Sequence, residues 1–247
     1  MNNLSGDSFG LIKFGDKSWL KNITEGKIWF RTLEYYRNYE ADEIIGDKYE
    51  GATNIIIPDN YTTIHYQRSF ADQNILNLSN MNTPIIMIPK QYGSLYIFCM
   101  SYFSINDIAN KTIFDDSILK QKNWCDILFF LEPENFGSLF RDTLKDFKPE
   151  IFKIKYNDYT NNQEDLNYFT KSEKYKFLKE IRFVINYSGE NSKNIKRIDN
   201  NTIEVKFFRS IDSIIVPSSS FRESFYFKNQ QEKEDNFKIN LNGGKNE

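Results

Sequence analysis

The chain has 247 residues and carries 32 basic against 34 acidic side chains, a net charge of −2, so no global field draws it to nucleic acid or to an anionic membrane. Hydrophobic residues make up 40% and aromatics 16%, with 22 Phe and 15 Tyr, which excludes a disordered chain and predicts an aromatic-rich core. The first ten residues lack a basic segment followed by an apolar core, and no apolar run approaches the roughly 18 residues that cross a bilayer, so the sequence predicts a cytoplasmic protein with no signal peptide and no membrane partner.

The first pattern is a strand at residues 11–14 (LIKF), stopped by Gly15, and then a helix that Asp16 or Ser18 can cap, with Trp19, Leu20 and Ile23 on one face. Gly26 ends that helix in the manner of a left-handed C-cap, and a second strand at 27–30 leads through Leu33, Tyr35 and Tyr36 into an acidic, glycine-bearing loop with Asp42, Glu43, Asp47 and Glu50. Residues 53–57 and 62–66 read as a hairpin about the turn Pro58-Asp59-Asn60, 69–83 as a loop or small helix, and 84–89 as a buried strand or short connector.

Residues 95–103 (LYIFCMSYF) give the strongest strand signal, continuously apolar and aromatic as a central strand buried on both faces is. A second central strand is predicted at 127–131, then an amphipathic helix from Pro133 to about Asp146 with Phe136, Leu139, Phe140 and Leu144 at helical spacing. A half-exposed strand at 151–156, a polar loop at 157–165, a short helix at 174–178 and a strand at 180–187 follow. A hairpin about Asp199-Asn200-Asn201 then precedes strands at 203–208 and 213–216. Strands outnumber helices and arrive in hairpin-like pairs, which predicts an α+β fold with mixed, mostly antiparallel sheets, one domain over 1–227 and a polar, flexible tail over 228–247.

The residue inventory removes much chemistry. One histidine, His65, lies in a predicted hairpin strand, and no GxSxG elbow, phosphate loop, GxGxxG, CxxC or HExxH occurs, so the sequence predicts no zinc site, no obligate metal cofactor and no serine or cysteine hydrolase, while its many acidic residues leave carboxylate-held magnesium open. Cys99 and Cys125 sit in apolar runs and read as buried free thiols of a reducing compartment. Glu204-Val-Lys206 with Asp199 upstream is a weak nuclease-like signal, since an acid and then Glu-x-Lys can hold a metal, and a hairpin turn and a solvated strand edge adequately explain it. Glu180 and Arg182, two apart on a strand, project from one face. A carboxylate there can stabilise positive charge developing at an anomeric carbon, or it can simply pair with the arginine at the strand's entry.

Three segments carry a resemblance: the strand Leu11-Ile-Lys-Phe14 with its helix, glycine, following strand and loop Gly46-Asp47-Lys-Tyr-Glu50-Gly51; the central-strand run Phe98-Cys-Met-Ser101; and the basic-aromatic run from Lys171 to Arg182. Together they resemble a bacterial and phage-associated family of unknown function with an ADP-ribosyltransferase-like fold. The resemblance implies an NAD-dependent transferase with a role in phage-host conflict. Lys13, Ser101 and Arg182 would hold the cofactor and Glu180 would orient the nicotinamide ribose as the catalytic residue. Acceptor choice, for a protein or a nucleic acid, would fall to exposed loops carrying Asp47, Glu50 and Tyr36. Lys13 stands where such enzymes commonly carry Arg or His, and Leu178 where an acidic residue or Gln helps choose the acceptor. The alternatives are a transferase-like module that binds a nucleotide or a protein without turnover, and a metal nuclease using Asp199, Glu204 and Lys206.

Overall fold

The computed structural model describes residues 9–39, 47–58, 63–69, 72–77, 83–104, 106–107, 114–115, 126–130, 132–161, 165–217 and 227–228. Strand β1 (Phe9–Gly15) runs into helix α1 (Lys17–Thr24), and β2 (Lys27–Thr32) into the short helix α2 (Leu33–Arg37). Strands β3 (Asn54–Ile56), β4 (Thr63–Ser69), β5 (Asp72–Asn77) and β6 (Ile85–Met87) precede the ten-residue β7 (Leu95–Ser104). After β8 (Phe114–Asp115) and β9 (Asp126–Phe130) come helix α3 (Pro133–Thr143), β10 (Glu150–Lys153), β11 (Lys155–Asn157) and β12 (Thr170–Ser172). A 3₁₀ turn at Glu173–Leu178 enters β13 (Glu180–Asn186), and β14 (Ile195–Arg197), β15 (Thr202–Lys206), β16 (Ser213–Pro217) and β17 (Phe227–Lys228) complete the described elements. The fold is α+β, with one large antiparallel sheet in the order β14-β15-β2-β7-β1-β9-β16, to which β13 and β10 add, and four two-stranded pairs.

The first unit forms as its residues dictate. Asp16 accepts from the Trp19 amide at 3.0 Å and caps α1, while Gly26 takes φ +80, a conformation that a side chain makes costly. A Cβ at Gly26 would lie 2.7 Å from the Arg209 carbonyl oxygen, so close approach reinforces the requirement for glycine.

Strand β7 organises the sheet because its two faces bury different cores. Tyr96, Phe98 and Met100 join the main core with Phe30, Phe136, Phe140 and Phe183, whereas Leu95 and Ile97 join Leu33 and Val184 on the other face. Phe30 stacks on Phe140 with ring centroids 6.0 Å apart, which seats α3 on the main-core face.

One edge of β7 is taken by β13 along Leu95–Ser101, and the other is shared. There β2 pairs only at Tyr96 and Ile97, and β1 only from Ser101 onward. Before Arg31, β2 keeps only its pairing with β15, and beyond Ile12, β1 keeps only β9. The sheet therefore splits along residues 98–100, and α1 links the two arms of the split.

Several local predictions are corrected. The run at 53–57 does not pair with 62–66: β3 pairs with β6, and β4 with β5. Ile55 is fully buried against Ala52, Tyr159 and Leu166, and that burial outweighs the turn residues at Pro58. The segment expected as loop or small helix contains β5, which pairs antiparallel with β4. The expected buried strand at 84–89 is half exposed, Met87 at 45% and Ile88 at 36%. The strand expected at 151–156 breaks at Ile154, whose amide bonds the Glu180 carbonyl while that of Lys155 turns to Phe169. Cys125, Asp59, Asn60 and the tail beyond Lys228 lie outside the described residues, as does the side chain of His65 on β4.

Candidate functional site

The split encloses a cleft of about 660 Å³, walled by residues of β1, β2, β7, α1 and α2 and reaching Glu50, Lys171, Glu180 and Arg182. Its position follows from backbone pairing, since a strand that loses its neighbour exposes its edge. The Cys99 carbonyl at this edge accepts from the Lys13 ammonium, which also lies 5.0 Å from the centre of the Phe98 ring. Lys13 thus reaches from the departing arm back to the strand it leaves.

On the face of β7 opposite the main core, the register places Glu180 beside Ser101 and Arg182 beside Cys99. Period-2 alternation sends all four side chains the same way, as the spacing of Glu180 and Arg182 predicts. Arg182, fully buried, donates from Nε to Glu180 Oε1 at 2.6 Å and from Nη2 to Glu50 Oε2 at 2.9 Å; Nη1 donates to Glu50 Oε1 and to the Tyr168 carbonyl. Lys171 donates to Glu180 Oε2 at 3.0 Å and lies 4.0 Å from Glu50 Oε2. Two carboxylates and two cations, each no more than 4% exposed, form a neutral buried cluster. Such a cluster tolerates desolvation only because every charge is matched and hydrogen-bonded.

Burial alone raises the Glu180 carboxyl, yet Arg182 and Lys171 outweigh it and hold Glu180 well below the ordinary carboxylate range. Glu180 is therefore ionised at neutral pH. Burial also pushes the Cys99 thiol up to about 12, with Glu180 adding to the effect, and pushes the Tyr36 phenol well above its ordinary value. Both face the cleft as neutral groups. The Tyr156 hydroxyl accepts from the Glu180 amide at 2.8 Å and fixes the entry of β13.

Of the residues singled out from the sequence, Lys13, Ser101, Glu180, Arg182, Glu50 and Tyr36 all line this one cleft. Asp47 does not. Asp47 and Glu50 are each 1% exposed and so do not form the exposed acceptor loop expected of them. Asp47 accepts from the Tyr49 amide at 3.0 Å and from the Ser172 amide at 3.3 Å, tying its turn to β12, and Arg37 donates to the Glu50 carbonyl at 2.8 Å. The reason is Arg182: a fully buried guanidinium requires a carboxylate, and Glu50 supplies it. Tyr36 lies on α2, half-buried, and not on that loop.

Sequence reasoning gave no role to Lys171, Trp29 or Arg31. Lys171 had a legible signal, as the lysine that opens the basic-aromatic run leading to Glu180, whereas Trp29 and Arg31 read as ordinary alternating positions of β2. The nuclease-like fragment is used structurally: Asp199 accepts from the Asn201 amide at 2.7 Å in the hairpin turn, and Glu204 accepts from the Trp29 indole at 3.2 Å. Among the described residues no group of three or more His, Cys, Asp or Glu could hold a metal ion, and no helix is long and apolar enough to cross a membrane. Comparison with protein-family models, with curated proteins and with solved structures finds no match to this chain.

Proposed function

We propose that the cleft is a nucleotide site and that the protein acts on NAD in the manner of the ADP-ribosyltransferases that its sequence resembles. The observation that supports this reading is that Lys13, Ser101 and Glu180, which lie far apart in sequence, line one cleft beside Arg182. The cleft's volume of about 660 Å³ falls in the range of small-molecule and cofactor sites. Its walls alternate aromatic rings, Trp19, Trp29 and Tyr35 among them, with cations, a pairing that suits flat bases joined by phosphates.

In this reading Glu180 does the chemical work. A carboxylate offers about four acceptor positions, and Arg182 and Lys171 use two, which leaves acceptor capacity toward the cleft for a ribose hydroxyl. The C1′–N bond to nicotinamide breaks and its electron pair leaves with nicotinamide. The ionised Glu180 stabilises the positive charge left on the ribose, and the acceptor's nucleophile bonds to C1′ as it gives up its proton. Ser101, across the strand pair from Glu180, lies within reach of the same sugar.

One observation favours a second reading, a module that binds a nucleotide without turnover. Two cations already offset the Glu180 charge, which weakens its field at a forming cation. Incubating the purified protein with labelled NAD and cell extract separates the two. Nicotinamide release with label transfer, lost in a Glu180→Gln variant that stays folded at the assay temperature and still binds NAD, supports the transferase; a stable nucleotide complex without release overturns it in favour of the binder.

A further inference from the structure

Four cations border the cleft, and they are not equivalent. Arg182 and Lys171 are matched by Glu50 and Glu180, and Lys13 is held at the Cys99 carbonyl. Arg31 differs. Its guanidinium lies 4.1 Å from the centre of the Tyr35 ring, and among the described residues it carries no hydrogen bond and no carboxylate partner. Stacking on a ring fixes the plane of a guanidinium while leaving its N–H edges open, the geometry that grips a tetrahedral or planar oxyanion with two parallel bonds.

The backbone holds Arg31 firmly. It sits in β2 between Thr202 of β15 and Ile97 of β7, where β2 leaves β7. Being paired with Ile97, it projects from the same face of β7 as Ser101 and Glu180. Ile97 and Ser101 are four residues apart, about 13 Å along a strand. One ligand touching both Glu180 and Arg31 is therefore extended, of nucleotide size or longer. Trp29, on the same face two residues earlier, is 36% exposed, borders the cleft and is oriented by Glu204, so it offers a second ring on the Arg31 side of the cleft.

We infer that Arg31 is the phosphate-reading residue of the cleft, and that the ligand is a phosphorylated nucleotide whose phosphate docks on the Arg31 edge while its sugar reaches Glu180. The inference rests on the nucleotide reading of the cleft and assigns a part of the nucleotide to a residue that reading does not use. A free carboxylate would satisfy the same fork, but the two neighbouring rings and the separation from Glu180 select a ligand with an aromatic base and a phosphate.

Calorimetry on the full chain with ADP-ribose and with adenosine, in wild type, Arg31→Gln and Arg31→Lys, tests it. Arg31→Gln should weaken ADP-ribose binding by about tenfold or more, the loss expected for hydrogen bonds to a charged group, and leave adenosine unchanged. Arg31→Lys, which keeps the charge and loses the fork, should fall between. Unchanged melting curves of both variants confirm the fold. Arg31→Gln binding ADP-ribose as wild type does, or losing adenosine equally, overturns the assignment, as does a wild type that binds no phosphorylated ligand. If Arg31→Gln selectively loses ADP-ribose while wild type releases no nicotinamide from NAD, the transferase reading fails and the phosphate assignment stands; nicotinamide release with Arg31→Gln binding intact gives the reverse.

Discussion

Arg182 and Glu50 are 132 residues apart in sequence and form a two-pronged ion pair in the interior, with both terminal guanidinium nitrogens on the two carboxylate oxygens. The pair pins the turn at residues 47–51 to the middle of β13. It also leaves Nε of the same guanidinium to orient Glu180. One buried arginine thereby links the wall of the cleft to its proposed catalytic carboxylate.

Breaking that pair from the arginine side strands two carboxylates in the interior with one lysine. Arg182→Met is expected to cost about 3–5 kcal/mol in urea unfolding, the range for removing one partner of a buried pair. Adding Glu50→Gln to Arg182→Met should cost less than the two single changes summed, because they share one interaction. Strict additivity would show that the ion pair is not a unit.

The acid limb of stability follows from Glu180. A carboxyl whose folded value is depressed contributes stability that is complete above its unfolded value, about 4.3, and is lost as pH falls through the folded value. Arg182, Lys171, Glu50, Cys99 and Tyr156 surround it, and the two cations set the sign. Glu50, which burial pushes up against the pull of Arg182 and Lys171, works in the opposite sense and softens the effect. Between about pH 5 and pH 3 the stability of wild type should therefore fall more steeply than that of Glu180→Gln. Parallel curves across that window would mean that Glu180 is not held ionised in the fold.

Gly26 supports the first unit by conformation. Alanine there meets both the penalty of φ +80 and the Arg209 carbonyl oxygen at 2.7 Å. Gly26→Ala should lower stability by about 1–3 kcal/mol, read as a shift of the thermal midpoint, with exchange of the amides of α1 accelerated first. Tolerance without loss would place the helix end elsewhere.

The Cys99 thiol should be inert in the native protein. With burial lifting it to about 12, its thiolate fraction near pH 8 falls below that of an ordinary cysteine by roughly a thousandfold. In a Cys125→Ser chain, Cys99 should react slowly with a disulfide reagent until denaturant is added, and then at the rate of a free thiol. Rapid labelling of the folded chain would contradict the neutral environment described for this wall of the cleft.

Lys13→Met removes the ammonium that caps the Cys99 carbonyl at the split. The variant is expected to lose about 1 kcal/mol, the net worth of one part-buried hydrogen bond, and to weaken binding of any anionic ligand in the cleft. A variant as stable as wild type that binds such ligands equally well would remove Lys13 from the site.

Where a signal is local, the sequence carries it. Asp16 and Gly26 bound α1, the unbroken apolar run marks β7 as central, and the spacing of Glu180 and Arg182 puts them on one face, because capping, alternation and left-handed glycine are properties of a few adjacent residues. Pairing is another matter. That β3 seeks β6 and β4 seeks β5 depends on which partner buries Ile55, a competition between segments that neither one encodes alone. Glu50 makes the same point more sharply: in an acid-rich, glycine-bearing run it reads as solvated, and only an arginine 132 residues later makes its burial favourable. The cleft itself has no sequence signature, because it arises where β1 and β2 diverge from one edge of β7, and divergence is a property of the assembled sheet.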